Sequence, residues 1–204
     1  FKTTRFFISE LRSHDPYRKL GEFLVNKSGS FLDLPCCGFE TVTYMLEGKV
    51  QQEDFAGHKG TFGPGESQWM TAGHGIVHSE IPLRLPRKQE DERAYGLQLW
   101  INCQKSTRYV NHSTRNSLMV RSHALDRKME LLSKSLLESH TASSLKSIPP
   151  HRQCSSTSRW TRTQPSHKPS ETYNGFFYVL SGTAYIGDPN SQPEAKARHT
   201  LLFS

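Results

Sequence analysis

The stretch GFETVTYMLEG, residues 38–48, decides the fold of this chain. Apolar, aromatic and β-branched residues alternate with polar ones along it, which is typical of a half-buried β-strand. A glycine closes the stretch where a hairpin needs a turn. The later stretch FFYVLSGTAYIG, residues 176–187, repeats the order of aromatic residue, strand, glycine and second strand. The two stretches therefore predict two related β-units, each with a hairpin at this point.

The rest of residues 39–100 follows the same pattern, because short alternating runs are separated by glycine or proline. Such spacing predicts an all-β fold of antiparallel strands in a sandwich or barrel. Residues 101–170 lack the pattern, and the leucines of RKMELLSKSLLES, residues 127–139, favour a helix instead. We therefore predict a first β-barrel over residues 1–104, an irregular basic, serine-rich segment over 105–170 and a partial second barrel over 171–204.

The formal charge of +7 belongs to one segment. Residues 101–170 hold 12 Lys or Arg against 3 Asp or Glu, whereas the remaining residues have a net charge of −2. Only Tyr109 and Trp160 are aromatic in this segment, so it lacks the stacking surfaces of single-stranded nucleic-acid binders. We expect a solvated, poorly ordered stretch and no direct nucleic-acid site.

The overall composition predicts a soluble intracellular protein. No apolar run reaches the ~18 residues of a membrane helix, and the four cysteines form no CxxC pair or dense disulfide framework. The chain does not begin with Met, and the second unit stops at Ser204. We therefore expect both ends to be truncated.

A longer ordered set of motifs carries a family resemblance. The runs GFETVTYMLEG (38–48), EDFAGHKG (53–60), PGESQWMTAGHGIVHSEIP (64–82) and GLQLWIN (96–102) resemble the first barrel of the pirins, members of the cupin superfamily. Downstream, HKPSETYNGFFYVLSGTAYIG (167–187) resembles the start of the second pirin barrel. The resemblance implies a bicupin, with two antiparallel β-barrels of which only the first holds iron.

The resemblance also implies function. Pirins are monomeric nuclear and cytoplasmic proteins that act as partners of transcription factors or signalling proteins, and some are quercetin 2,3-dioxygenases. Their iron is held by three His and one Glu. In this chain the implied metal ligands are His78, Glu80 and Cys36, with Glu80 also accepting a proton from a flavonol. Gln98 is the implied neighbour of this set, and Trp69 and Met70 are the implied lining of the barrel. His74 stands where pirins usually have Arg, and it offers a further imidazole in the nearby loop.

The spacing of His78 and Glu80 supports the resemblance. Residues two apart on a strand project to the same face, so both side chains can point into a barrel. Imidazoles and a carboxylate with open positions are typical of non-heme Fe(II) sites. An isolated His-x-Glu would more simply be an exposed polar edge, and the surrounding motifs favour the site.

The stretch DLPCC, residues 33–37, departs from the family pattern. Pirins have His-Pro-His where this chain has Leu34, Pro35 and Cys36. Leucine cannot ligate a metal, and a cysteine ligates only as a thiolate, whose unperturbed pKa is ~8.5. We favour Cys36 and Cys37 as small packed hydrophobes over metal ligands. We expect impaired iron binding, because losing even a partner outside the ligand set costs ~10–100-fold in affinity.

Residues 110–165 also suggest a shifted reading frame. A pirin-like KDGVTVKVIAGES, written with suitable codons and read from its second nucleotide, becomes KMELLSKSLLES, which is residues 128–139 here. The same shift of a second pirin-like stretch yields residues 148–164 with one difference. Two hypotheses follow. The chain is a pirin-type iron dioxygenase acting on a flavonol, or a metal-free remnant of a decaying pirin gene with at most a protein-interaction role.

Overall fold

The computed structural model describes residues 3–10, 17–25, 31–83, 93–103, 105, 108–118, 131–132, 157–158, 175–185 and 194–203. Every strand pairing in these ranges is antiparallel and no described residue is helical, which confirms the all-β prediction. Accordingly, the described residues contain no helix that could span a membrane. The strands are β1 (Thr3–Glu10), β2 (Tyr17–Val25), β3 (Phe31–Cys36), β4 (Phe39–Glu47), β5 (Val50–Asp54), β6 (Lys59–Phe62), β7 (Glu66–Thr71), β8 (Ile76–Pro82), β9 (Ala94–Asn102), β10 (Ser113–Leu118), β11 (Leu131–Leu132), β12 (Thr157–Ser158), β13 (Gly175–Tyr178), β14 (Thr183–Tyr185), β15 (Glu194–Lys196) and β16 (Thr200–Phe203).

The first unit consists of two facing sheets. One has six strands in the order β1-β2-β9-β4-β7-β10, and the other has four in the order β3-β8-β5-β6. Hydrogen bonds between side chains of the two inner faces hold them together, such as Gln68 Nε2 to Gln52 Oε1 at 3.0 Å. Residues 113–118 thus extend the first sheet beyond residue 104, into the segment predicted to be irregular.

The prediction that the strands on either side of Gly48 pair as a hairpin is wrong. β4 pairs with β7 and β9, whereas β5 pairs with β6 and β8 in the other sheet. Gly48, with φ of +74°, therefore carries the chain from one sheet to the other. This crossing is favourable because Met45 and Val50, on either side of the turn, enter the same apolar cluster.

The second unit repeats the crossing. β13 pairs with β16 and β14 pairs with β15, so the strands on either side of Gly182 again lie in different sheets. The two similar sequence stretches thus share a feature of topology, namely a change of sheet at a glycine. In both places the turn glycine has positive φ, +79° at Gly182.

The interior of the first unit is layered. One apolar cluster contains Phe23, Val25, Met45, Val50, Phe62 and Ala94, and another contains Met70, Ala72 and Ile76. Alternate positions along the strands between the clusters are polar. We call Thr43, Gln52, Gln68, Glu80 and Gln98 the polar layer, since hydrogen bonds connect them across the two sheets.

The helix predicted over residues 127–139 falls almost entirely outside the described residues. The two described residues of that range, Leu131 and Leu132, form β11, which pairs with β12. For these two residues the helix prediction is wrong. Leucine spacing alone does not distinguish a helix from a short strand, because pairing with a distant segment can override local preference.

Candidate functional site

Strand β8 places the two central site residues. Ile76, His78 and Glu80 alternate with Val77, Ser79 and Ile81, and the first three are buried while Val77 and Ile81 are exposed. In the strand register, Leu34 of β3 and Asp54 of β5 lie on either side of His78, while Gln52 of β5 lies beside Glu80. Directly opposed residues project to the same face of a sheet, so the buried side chains of Gln52 and Asp54 face the interior with those of His78 and Glu80, and Leu34 lies at the exposed edge of this face.

His78 and Glu80 lie together in that interior. They are 4% and 6% exposed, and His78 Nε2 is 4.0 Å from Glu80 Oε1. Gln98 Nε2 donates to both carboxylate oxygens of Glu80, at 3.1 and 3.3 Å, and to Thr43 Oγ1 at 3.1 Å. Trp100 Nε1 donates to Gln98 Oε1 at 2.8 Å, which fixes the amide so that its nitrogen points at the carboxylate.

Burial controls the charge of both groups. It raises the pKa of Glu80 to about 7, and the hydrogen bond from Gln98 acts in the opposite direction. Burial lowers the pKa of His78, although the negative charge of Asp54 and the backbone of Leu34 favour the protonated ring. His78 is therefore held as neutral imidazole, the form that ligates metals. Its Nδ1 is buried without a hydrogen-bond partner among the described residues.

Cys36 lies beside an apolar cluster. It faces Ile76 across the strand pair and packs against Met70, Ala72 and Ile76. Burial, together with the negative charges of Glu80 and Cys37, raises the pKa of its thiol to about 11. The thiol is thus protonated at neutral pH, as expected of a packed hydrophobe, and Cys37 is exposed.

The structure brings two of these donors, His78 and Glu80, close together. Among the described residues, no group of three or more His, Cys, Asp or Glu side chains is placed to hold a metal ion. The position beside His78 on β3 belongs to Leu34, which has no donor atom and is 36% exposed. Non-heme iron sites are commonly built on a facial set of three donors.

Of the two other predicted site residues, the structure places Gln98 beside Glu80 and His74 in contact with a different segment. Gln98 lies beside Glu80, as expected from the resemblance. His74 is exposed in the β7–β8 loop, where its Nδ1 is 3.0 Å from the Val110 carbonyl and its ring lies near Tyr109. Its contacts are with the segment after β9 and not with His78 or Glu80, as far as the described residues extend.

The expected lining by both Trp69 and Met70 is wrong. Met70 is buried in the interior cluster, and Trp69, its neighbour on β7, projects to the opposite face. Adjacent residues of a regular strand cannot both face one interior. Alternation, applied consistently from Gln68 and Met70, would have excluded Trp69.

Three further side chains lie beside the site and were not predicted from the sequence: Asp54, Gln52 and Gln68. All three are buried, and Asp54 lies beside His78 in register. The signal was present in β5, where Val50, Gln52 and Asp54 occupy alternate positions. Because the first of them is apolar, the other two were to be expected on the same buried face.

Comparison with known proteins shows what the chain is similar to. Residues 4–101 match the family model described as Pirin. Human Pirin is 34% identical over 95% of this chain, and the chain covers 65% of its length. The chain thus spans just under two thirds of the length of human Pirin and of a Pirin-like protein from Solanum lycopersicum.

Solved structures agree in fold. A bacterial pirin YhhW from Escherichia coli in complex with nickel(II) gives a TM-score of 0.64 at 22% identity, covering 92% of this chain and 73% of that one. A quercetin 2,3-dioxygenase from Acinetobacter baumannii gives 0.61 at 19% identity, covering 98% and 72%. At these identities the similarity shows the fold alone.

Proposed function

We propose that this chain, which matches the Pirin family model over residues 4–101 and is 34% identical to human Pirin, is a pirin-type cupin in which metal binding is impaired and quercetin 2,3-dioxygenase activity is lost. A single observation carries the proposal. Leu34 stands beside His78 in the strand register, where a metal site would need a second donor. Any remaining role would then be one of protein interaction, with transcription factors or signalling proteins as the expected partners and the nucleus and cytoplasm as the expected location.

The donor set supports this proposal chemically. His78 and Glu80 form a two-donor arrangement, and the thiol of Cys36 would have to lose a proton against a pKa of about 11. Leu34 also places a hydrocarbon side chain beside the position of a cation. A hydrocarbon neighbour provides no ligand to a cation and excludes water from it, so binding there carries an uncompensated desolvation cost. We therefore derive no iron-dependent step for this chain.

The test is metal analysis of the purified chain after incubation with Fe(II) under anaerobic conditions, followed by an absorbance assay of quercetin turnover. We expect less than one iron ion per chain and no turnover. The double substitution Leu34→His and Cys36→His should raise bound metal toward one ion per chain, because it restores two imidazoles beside His78. A matched control, Val77→His, adds an imidazole on the outer face of β8 and should not.

A different result would overturn the proposal. If the unmodified chain holds one iron per molecule, and His78→Ala removes both the iron and the turnover of quercetin, the chain is an active dioxygenase. Metal bound equally by the chain with and without His78→Ala would instead lie outside this site.

One observation favours a second candidate function, flavonol turnover with Glu80 accepting the hydroxyl proton. The pKa of Glu80, about 7, suits a group that exchanges protons near neutral pH, and Gln98 holds its carboxylate in place. The turnover assay separates the candidates. Turnover that Glu80→Gln abolishes would support the second, and absence of turnover at any metal loading would remove it.

A further inference from the structure

A pair of imidazoles lies at the edge of the two sheets, apart from His78 and Glu80. His58 is in the β5–β6 loop, and His112 immediately precedes β10. Their ring centroids are 5.9 Å apart with an interplanar angle of 66°. We propose that His58 and His112 form a binding site for a divalent transition-metal ion such as Ni²⁺, Cu²⁺ or Zn²⁺, which imidazole ligands suit.

His58 is oriented for this role by a buried carboxylate. Its Nδ1 lies 2.9 Å from Asp54 Oδ2 and 3.2 Å from Oδ1. The Asp54 side chain is completely buried, whereas that of His58 is 60% exposed. A carboxylate on one ring nitrogen leaves the other as the ligating nitrogen and increases its basicity, as the outer partners of metal-bound histidines do. Nε2 of His58 is therefore the donor.

The loop that carries His58 is rigid. Asp54 Oδ1 accepts hydrogen bonds from the backbone N–H groups of Ala56 and His58, both at 3.0 Å. The Gly57 N–H donates to the Asp54 carbonyl at 3.0 Å, and the Asp54 N–H donates to the His58 carbonyl at 3.1 Å. Four bonds thus fix five residues, so little conformational entropy remains to be lost when a metal binds.

His112 is held from the other side. Its ring lies 5.2 Å from that of Phe55, which is 63% exposed, and the backbone after it enters the β10–β7 ladder at Ser113. An exposed phenylalanine gains from covering an imidazole face, so the contact restrains His112 next to His58. Each sheet thus contributes one residue to the site. His58 comes from the loop between two strands of the four-stranded sheet, and His112 from the residue before the last strand of the six-stranded sheet.

The spacing fits a shared ion. With each ring nitrogen about 2.0–2.1 Å from the metal, each ring centroid lies about 3.2 Å from it, and two tetrahedral imidazoles have centroids about 5.2 Å apart. The observed 5.9 Å differs from this by less than about 1 Å, which a small rotation of the His112 side chain can supply while His58 keeps its contact with Asp54. Since no third described donor joins the pair, water would complete the coordination.

The experiment is calorimetric titration of the full chain with Ni²⁺. We expect one Ni²⁺ per chain at this site, and His58→Ala and His112→Ala should each weaken it at least ~10-fold, the smallest effect seen for loss of a partner outside a ligand set. His199→Ala is the matched control. His199 is also exposed with its Nδ1 held by a backbone carbonyl, that of Lys196 at 3.0 Å, but no second imidazole contacts it among the described residues.

A second measurement counts ligands directly. Electron spin-echo spectroscopy of bound Cu²⁺ should detect two imidazoles in the unmodified chain and one in either variant. Unchanged Ni²⁺ affinity in His58→Ala and His112→Ala would overturn the proposal, as would loss of the ion in His78→Ala, which would place it in the interior. If His112→Ala unfolds, the spectroscopic count in His58→Ala decides the question alone.

Discussion

At the scale of the residue, the site is governed by what surrounds His78. Its neighbours in the strand register are Leu34 on one side and Asp54 on the other, an apolar side chain and a buried carboxylate. The preference for a neutral imidazole comes from burial, and Asp54 only reduces it. Leu34 pairs with His78 in the strand register although its side chain is 36% exposed, so a residue without a donor atom occupies this position while the β3–β8 pairing is kept.

Glu80 provides a prediction at this scale. Its folded-state pKa, about 7, lies above the ordinary value of 4.5, so the folded protein keeps a proton that the unfolded chain has released between these pH values. Stability of the metal-free chain should therefore fall as pH rises from about 4.5 to 7, by a total of about 3 kcal/mol from this group. In Glu80→Gln this part of the pH dependence should disappear, as measured by urea unfolding at pH 5 and pH 8.

The control for this prediction is Glu47→Gln. Glu47 is half exposed on the surface and pairs with Arg93 at 2.9 Å, so its substitution should leave the slope with pH unchanged. Identical slopes for Glu80→Gln and the unmodified chain would show that Glu80 ionises normally in the fold.

At the scale of the element, the turn between β4 and β5 is the critical connection. Gly48 has a φ of +74°, and a Cβ atom placed on it would lie 2.3 Å from the Arg93 carbonyl oxygen. The strands on either side must leave this turn into different sheets. Glycine satisfies both requirements, since it adopts the left-handed region without strain and leaves room for the neighbouring backbone.

Substitution tests these two requirements separately. Gly57 has a φ of +85°, and a Cβ atom placed on it would meet no atom within 4 Å, so Gly57→Ala should cost only the left-handed conformation, about 1–2 kcal/mol. Gly48→Ala should lower the free energy of unfolding further, because the backbone at Arg93 has to move. Urea denaturation of both variants measures the difference, and equal losses would show that close approach at Gly48 has no cost.

At the scale of the whole molecule, the C-terminal strands are anchored to the first unit through Glu22 on β2. This carboxylate is 4% exposed and accepts hydrogen bonds from Tyr95 Oη at 2.6 Å and from Tyr178 Oη, while Arg198 Nε lies 3.5 Å away. Burial, and then the bond to Glu22, raises the pKa of Tyr95 to about 12. Phe176 adds an edge-to-face contact with Tyr17, with ring centroids 5.0 Å apart.

Removal of the anchor should release the C-terminal strands. In Glu22→Ala two tyrosine hydroxyls lose a charged acceptor, which costs about 2 kcal/mol or more because such bonds are stronger than neutral ones. Hydrogen exchange measured by mass spectrometry should increase in residues 175–185 and 194–203 while β4 and β9 remain protected. Glu47→Ala, which breaks an exposed ion pair, should have little effect on either region. Equal protection of the C-terminal strands in both variants would exclude this role for Glu22.

Much of the fold could be predicted from local sequence. Alternation identifies β4, β7, β8 and β9, and it places His78 and Glu80 on one face, because the period of a strand is a property of its own backbone. The same rule, applied fully, would have added Gln52 and Asp54 and removed Trp69. The hydrogen bonds to Glu22 could not be predicted from local alternation, because the donors Tyr95 and Tyr178 are distant in sequence.

By itself, then, the sequence determined that residues 39–100 are built of short strands, that His78 and Glu80 share a face, and that two ligands expected from the family are replaced. Only the tertiary structure decided that β4 and β5 part at Gly48, that Leu34 stands beside His78, and that His58 meets His112. The physical reason is that a strand's alternation is local, whereas its partners and register depend on which distant apolar surfaces are buried together.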